Sequence, residues 1–348
     1  MKTQHKIYVA LATFVLLILV EIPFYRTPSE SQPQAPNAGT GARIMINLLL
    51  KGGGNTPNLL VIAIYLACFK QKHRAALHVL LYMSQLFLTF TLRSIYKMPR
   101  PYMQYWVYCP NAQDCTQSND AEKPYTCNGS FGSPSLHALS CTSITMYLLF
   151  DFLITREEIG KVIRYQADDA GSLVQLPPLH TVRITRVSAA LILSAALVYT
   201  FMTGFLQWEL GVSYLNQLIF GWLLGLWLAF VFAFIIRVPL YEYLKVLLEE
   251  RQEISLLPKH IAVVAGITSC MMLVCMVEYF AVRGEIKADI QDYFQHLVPL
   301  AKWCQAMDLN KWTADTFFFG VDVEYSSAFT CILTGYLGIV YQRVYLKG

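Results

Sequence analysis

Charge is what this sequence has least of. Only 14% of its 348 residues are Asp, Glu, Lys or Arg, against about 25% in a typical soluble domain. So little polar cover cannot wrap a chain that is 55% hydrophobic, which excludes an ordinary soluble globular protein. The net charge of +4 is small and dispersed, so there is no basic face for nucleic acid. Nine cysteines in a chain of this length are too few for a disulfide scaffold, which makes their positions more informative than their number. No internal repeat is present, and no low-complexity tract runs longer than Thr27 to Gly41. Neither a cofactor fingerprint nor a metal-ligand spacing stands out, so no cofactor and no metal are expected.

What is there is long apolar blocks with few charges inside them, the pattern of helices that cross a bilayer. Eight stand out: Ile7–Phe24, Asn58–Phe69, Ala76–Leu92, Ala138–Ile154, Val187–Leu206, Tyr214–Ile236, Ile261–Val282 and Ala328–Tyr341. The second is short and the fourth is interrupted by Asp151, so both must recruit flanking residues to reach the roughly 20 a span needs. The expected fold is therefore all-α, a polytopic membrane helical bundle of about eight spans. Three regions follow: 1–51, a signal-anchor span with an outer amphipathic segment; 52–236, a membrane core; and 237–348, C-terminal spans with an outer loop. The first stretch follows a charged start, and Glu21-Ile-Pro-Phe-Tyr-Arg26 lacks a small-residue cleavage pattern, so it reads as a retained anchor. Arg43–Leu50, Tyr241–Ile254 and Asp289–Met307 read as amphipathic segments at the membrane surface.

With the N-terminus cytosolic, sixteen Lys and Arg residues fall on the cytosolic side and eleven on the outer side, the bias that orients spans. In that topology Cys109, Cys115, Cys127 and Cys304 lie in outer loops. They could form two disulfides in an oxidising compartment or stay as four free thiols. The other five cysteines sit in or beside spans.

Three polar patches then share the outer face. The first is Arg93-Ser-Ile-Tyr-Lys-Met-Pro-Arg100-Pro101-Tyr102, the second Gly132-Ser-Pro134-Ser135-Leu136-His137, and the third Gln207-Trp-Glu-Leu-Gly-Val-Ser213-Tyr-Leu-Asn-Gln217. Guanidinium groups match phosphate oxygens bidentately. Ser-Pro-Ser opening a helix presents free N–H groups and the positive end of the dipole. His137, one turn in, is placed to give a proton to a leaving alkoxide. Each patch alone has a plainer reading: arginines as headgroup anchors, Ser135 as a helix cap, His137 as a structural interface residue.

Taken in order, Arg93-x6-Arg100-Pro101 followed by Pro134-Ser135-x-His137 resembles the phosphatidic acid phosphatase type 2 / haloperoxidase superfamily. That family's pattern is Lys-x6-Arg-Pro, Pro-Ser-Gly-His, then Ser-Arg-x5-His-x3-Asp. Arg100-Pro-Tyr102 and Cys127-Asn-Gly-Ser-Phe-Gly-Ser-Pro-Ser-Leu-His-Ala138 look closest to the glucose-6-phosphatases. The resemblance runs from about Gly52 to Phe230 and implies a six-helix core with a lumen-facing phosphatase site. In the family a His attacks phosphorus, a second His protonates the leaving group, and cationic, hydroxyl and amide groups hold the oxygens. Carried over, Arg93 stands where the Lys belongs, Arg100 and Ser135 match oxyanion holders, and His137 matches the general acid. Leu136 stands at the Gly whose backbone approaches phosphate, and would put a side chain near it.

The third patch departs from the pattern. Aligning Asn216-Gln217-Leu-Ile-Phe-Gly221 with the family's following helix puts Ser213 at the nucleophilic His, Gln207 at the Arg and Gln217 at the Asp. No His occurs between His180 and His260, so no register restores the nucleophile. Ser213 would need a base, and Glu209 is the nearest one in sequence. The expectation is a catalytically silent relative that keeps a partial cradle for a phosphorylated headgroup or an inorganic anion. It would meet membrane lipids and, as a structural subunit, other membrane proteins, with no nucleic-acid partner. The alternative is a working lumen-facing phosphomonoesterase with an altered nucleophile. The sequon Asn128-Gly-Ser130 and the outer cysteines favour the endoplasmic reticulum or another endomembrane, with the mitochondrial inner membrane as the alternative.

Overall fold

The structure is a computed structural model of the chain. It describes residues 3–25, 55–68, 72–96, 98, 132–162, 186–209 and 213–241, and, further on, 262, 264–274, 276, 277 and 280. Arg100, the four outer-loop cysteines, the sequon, the three amphipathic segments apart from Tyr241, the eighth stretch and the Glu209 side chain lie outside the described residues.

Every element among the described residues is helical. In chain order they are α1 (Thr3–Tyr25), α2 (Asn55–Ala67), α3 (Lys72–Tyr96), α4 (Leu136–Val162), α5 (Arg186–Glu209) and α6 (Leu215–Val231). α6 continues through a π turn at Phe232–Ile236 to Tyr241, and α7 covers Val264–Val274. Among the described residues three helices are long and apolar enough to cross a membrane: Arg74–Arg93 (20 residues), Ala190–Trp208 (19) and Leu215–Tyr241 (27). At 1.5 Å per residue the first two cover about 30 Å, the thickness of a hydrocarbon core, and the third about 40 Å. Shorter apolar helices stand at four more of the expected stretches: Gln4–Val20, Asn58–Ala67, Leu136–Phe152 and Val264–Val274. Helix positions thus match seven of the eight expected stretches, and crossing length is reached by three.

Burial is distributed as lipid demands. Leu11, Val15, Leu16 and Leu19 of α1, and Leu191, Leu197, Val198 and Phe201 of α5, face outward. Asn58, His78, Gln85, Thr89, Ser140, Ser143, Gln207 and Gln217 are buried. A soluble protein would reverse this, since an unpaired polar group in hydrocarbon costs several kcal/mol. The chain is an integral membrane protein with an all-helical core. Leu81, Leu92, Tyr96, Leu139, Tyr147, Phe220, Leu224 and Phe232 pack at its centre.

α4 and α6 form the tightest pair, and glycine is the cause. A Cβ on Gly225 would stand 2.6 Å from the Leu139 carbonyl oxygen and 2.9 Å from Thr142 Cβ, and one on Gly221 2.9 Å from the Ser135 carbonyl oxygen. Gly221-Trp-Leu-Leu-Gly225 is a small-x3-small pattern, which lets two backbones approach where no hydrophobic effect drives helices together. α1 is seated on α6: Trp227 Nε1 donates to the Ala10 carbonyl at 2.9 Å, and the Phe14 and Trp227 rings lie 4.7 Å apart. Tyr96 of α3 donates its hydroxyl to the Ile18 carbonyl at 3.1 Å.

Asp151, which reads in sequence as an interruption of the fourth stretch, does not end the helix. It is buried and paired with Arg237 at 2.9 Å and Arg74 at 3.5 Å. One carboxylate thereby ties the start of α3 and the far end of α6 to α4, at the end of the bundle opposite Ser135.

Candidate functional site

The other end is built from the C-terminal turns of α3 and α5 and the N-terminal turns of α4 and α6. Arg93 lies in the last turn of α3 and is only 7% exposed. Its Nε donates to the Pro134 carbonyl at 3.2 Å. A guanidinium buried to that degree must be bonded, and this bond holds the turn before α4 against α3.

Ser135 is the N-cap of α4. Its Oγ accepts the Ala138 N–H at 3.5 Å, the ordinary role of a serine at this position. Its own hydroxyl proton goes elsewhere, to Gln207 Oε1 at 2.6 Å. The Ser135 N–H donates to the Gln217 carbonyl at 3.2 Å, which docks α4 on the first turn of α6. The Gln217 side chain turns back on its own helix and accepts the Tyr214 N–H at 3.1 Å. It also fills the space above Gly132: a Cβ there would lie 2.6 Å from Gln217 Oε1 and 2.7 Å from its Cδ. That close approach explains why a glycine opens this patch.

Gln207 ends α5 with its side chain turned inward, and the Ser213 N–H donates to its backbone carbonyl at 3.3 Å. Both residues are 1% exposed. Two donors in this enclosure, Gln207 Nε2 and Ser213 Oγ, are buried without a hydrogen-bond partner among the described residues. Orphaned buried donors are uncommon and point to a missing acceptor.

Five of the sequence-predicted residues are thus brought together: Arg93, Ser135, Gln207, Ser213 and Gln217. They come from four helix ends and are linked by the bonds above. His137 and Leu136 occupy the first turn of α4, both partly buried. The Leu136 side chain packs on Leu86 and Phe90 of α3 with Met271 and Met272 of α7. It therefore has an apolar neighbourhood of its own. Among the described residues no group of His, Cys, Asp and Glu is arranged to hold a metal ion.

Sequence reasoning passed over the glycines that set this geometry, Gly132, Gly221 and Gly225. The Gly-x3-Gly spacing in an apolar run was an available signal for the last two. Gly132 had no such signal, because its role depends on a side chain 85 positions later.

Chemically, the site offers one buried guanidinium, a capped helix N-terminus and two neutral donors, with no base bonded to Ser213 Oγ among the described residues. No curated protein and no solved structure matches the chain. Residues 74–241, which run from the start of α3 to the end of α6 and hold all five of these residues, match the family model of the PAP2 superfamily, whose helical membrane fold they share.

Proposed function

We propose that this chain is a catalytically silent member of the PAP2 superfamily, nearest in look to the glucose-6-phosphatases, that keeps a partial anion cradle facing the outer side. The observation that carries the reading is the Ser135–Gln207 bond. A hydrolase of this type needs that hydroxyl for a phosphate oxygen, and here it is given to a neutral carboxamide at 2.6 Å.

Two replacements support the same reading. Ser213 stands at the nucleophile position, and a serine hydroxyl attacks phosphorus only when a base takes its proton. Its Oγ has no partner among the described residues. Gln207 stands at the Arg position, where losing a fixed charge beside the transition state removes about 3 kcal/mol or more of stabilisation. What is left suits holding rather than cutting. Arg93, Arg100, His137 and the Leu136 backbone would surround a phosphorylated headgroup or inorganic phosphate, with Gln207 Nε2, its side chain held by Ser135, and Ser213 Oγ as further donors. Such a chain would act as a lipid-binding or structural subunit of an endomembrane assembly.

Purified protein in lipid–detergent micelles, offered phosphatidate, a sphingoid phosphate and glucose 6-phosphate, should release no more phosphate than its His137→Ala variant. Release that falls with His137→Ala would overturn the proposal. A trapped phosphoenzyme that disappears in Ser213→Ala would instead establish the alternative, a serine-based phosphomonoesterase.

A further inference from the structure

Beneath the outer site, α2, α3 and α4 enclose a second polar cluster that the proposed function does not use. Asn58, Gln85 and Thr89 are each 0% exposed and Ser140 is 1% exposed. Asn58 Nδ2 donates to Ser140 Oγ at 2.8 Å and to Gln85 Oε1 at 3.1 Å. Both protons of that amide are thus committed. Three atoms around it stay unpartnered among the described residues: the Asn58 Oδ1 acceptor, the Gln85 Nε2 donor and the Thr89 hydroxyl.

These atoms are complementary in kind. One accepts, one donates and one does either, which is the set of two to four polar partners that a buried water requires. In a bundle surrounded by lipid each would otherwise cost a kcal/mol or more, and leucines would fill the same space without that cost. The cluster also has a direction. His78, Gln85, Thr89 and Arg93 recur at spacings of seven, four and four, which puts them on one face of α3. Thr89 stands one turn, roughly 6 Å of rise, inward of Arg93. His78 at the far end of the stripe is also buried, between the rings of Tyr65 and Tyr147, with Nε2 unpartnered among the described residues.

We propose that Asn58, Gln85, Thr89 and Ser140 form an internal water site in the membrane core that exchanges water with the outer site along the Arg93–Thr89 face of α3. The bundle is then hydrated well below its outer surface, whether or not that surface holds phosphate.

Cysteine accessibility in the full chain tests this. Methanethiosulfonate reagents react with the hydrated thiolate and not with a thiol buried in apolar surroundings. In a background with all nine native cysteines replaced, reconstituted in vesicles, Thr89→Cys and Ser140→Cys are compared with Leu92→Cys and Leu81→Cys, which replace buried core leucines of α3. The two polar-site variants should react on the order of tenfold or more faster than the leucine variants. Equal rates at all four positions would overturn the proposal. A measurement on unaltered protein guards against misfolded variants. An experimental structure that resolves ordered water should show one within about 3.2 Å of both Asn58 Oδ1 and Gln85 Nε2. Direct packing of other side chains onto those atoms, with no water between, would refute it independently.

Discussion

Replacing Gly225 by alanine isolates what holds α4 against α6. In an ordinary helix this change is favourable, by about 0.5–1 kcal/mol. Here the new Cβ would stand 2.6 Å from the Leu139 carbonyl oxygen, 2.9 Å from Thr142 Cβ and 3.2 Å from the Ser143 nitrogen. A carbon–oxygen contact relaxes near about 3.3 Å, so α4 must retreat by roughly 0.7 Å. Two of the three obstacles are helix backbone, which cannot swing aside as a side chain can. Overpacking of this kind costs about 1–3 kcal/mol, so the propensity gain is outweighed and the net change should be a loss of about 1–2 kcal/mol. Thermal unfolding in detergent would register this as a melting point lower by a few degrees. Gly221→Ala, whose Cβ would meet the Ser135 carbonyl oxygen at 2.9 Å, should lose less. Gly266→Ala on α7 has nothing within 4 Å of its Cβ and should be neutral or slightly stabilising. The ordering is the test. If Gly225→Ala melts at or above the unaltered protein, α4 and α6 are not seated backbone to backbone, and the docking of Ser135 on Gln217 loses its cause.

Two other perturbations bear on the ends of the bundle. Asp151→Asn removes the buried carboxylate and leaves the largely covered Arg237 guanidinium without its 2.9 Å partner. Removing one member of a buried pair costs about 3–5 kcal/mol, so this variant should melt below every one of the glycine variants, and Asp151→Asn/Arg237→Gln should cost less than the sum of the singles. Additive losses would show that the pair is not coupled. At the site, Gln207→Leu takes the acceptor from the Ser135 hydroxyl, worth about 1–3 kcal/mol. A double-mutant cycle with Ser135→Ala should return a coupling of at least about 0.5 kcal/mol, and a value near zero would refute the 2.6 Å bond as an organising contact.

How much is legible in the sequence differs between fold and site. Helix positions are readable because lipid imposes one rule on every segment, apolar for about 20 residues, which needs no knowledge of neighbours. That rule says nothing of ends set by partners. The fourth apolar stretch gives out near Asp151, yet α4 runs on to Val162, because Arg237 and Arg74 neutralise the carboxylate from elements far away in sequence. The site's members are readable in the same limited way. Arg93, Ser135, Gln207, Ser213 and Gln217 stand out by order and spacing, as types of chemistry at the outer ends of spans.

What those residues do to one another was decided in three dimensions. A serine before a helix is a cap or a phosphate ligand with equal ease. Only the inward turn of Gln207 from α5 commits the Ser135 hydroxyl, and only the approach of α6 over Gly132 shows where the Gln217 amide lies. The buried cluster of Asn58, Gln85 and Thr89 is likewise invisible to a reading built on hydropathy, since three separated polar residues barely dilute an apolar run. The sequence by itself determined that the chain lives in a membrane, where its helices lie and which of its chemistry-bearing residues stand at helix ends, because each of these follows from local composition. Which donors are satisfied and which are left waiting depended on contacts between helices more than 70 residues apart, as with Ser135 and Gln207, and those only the packed bundle decides.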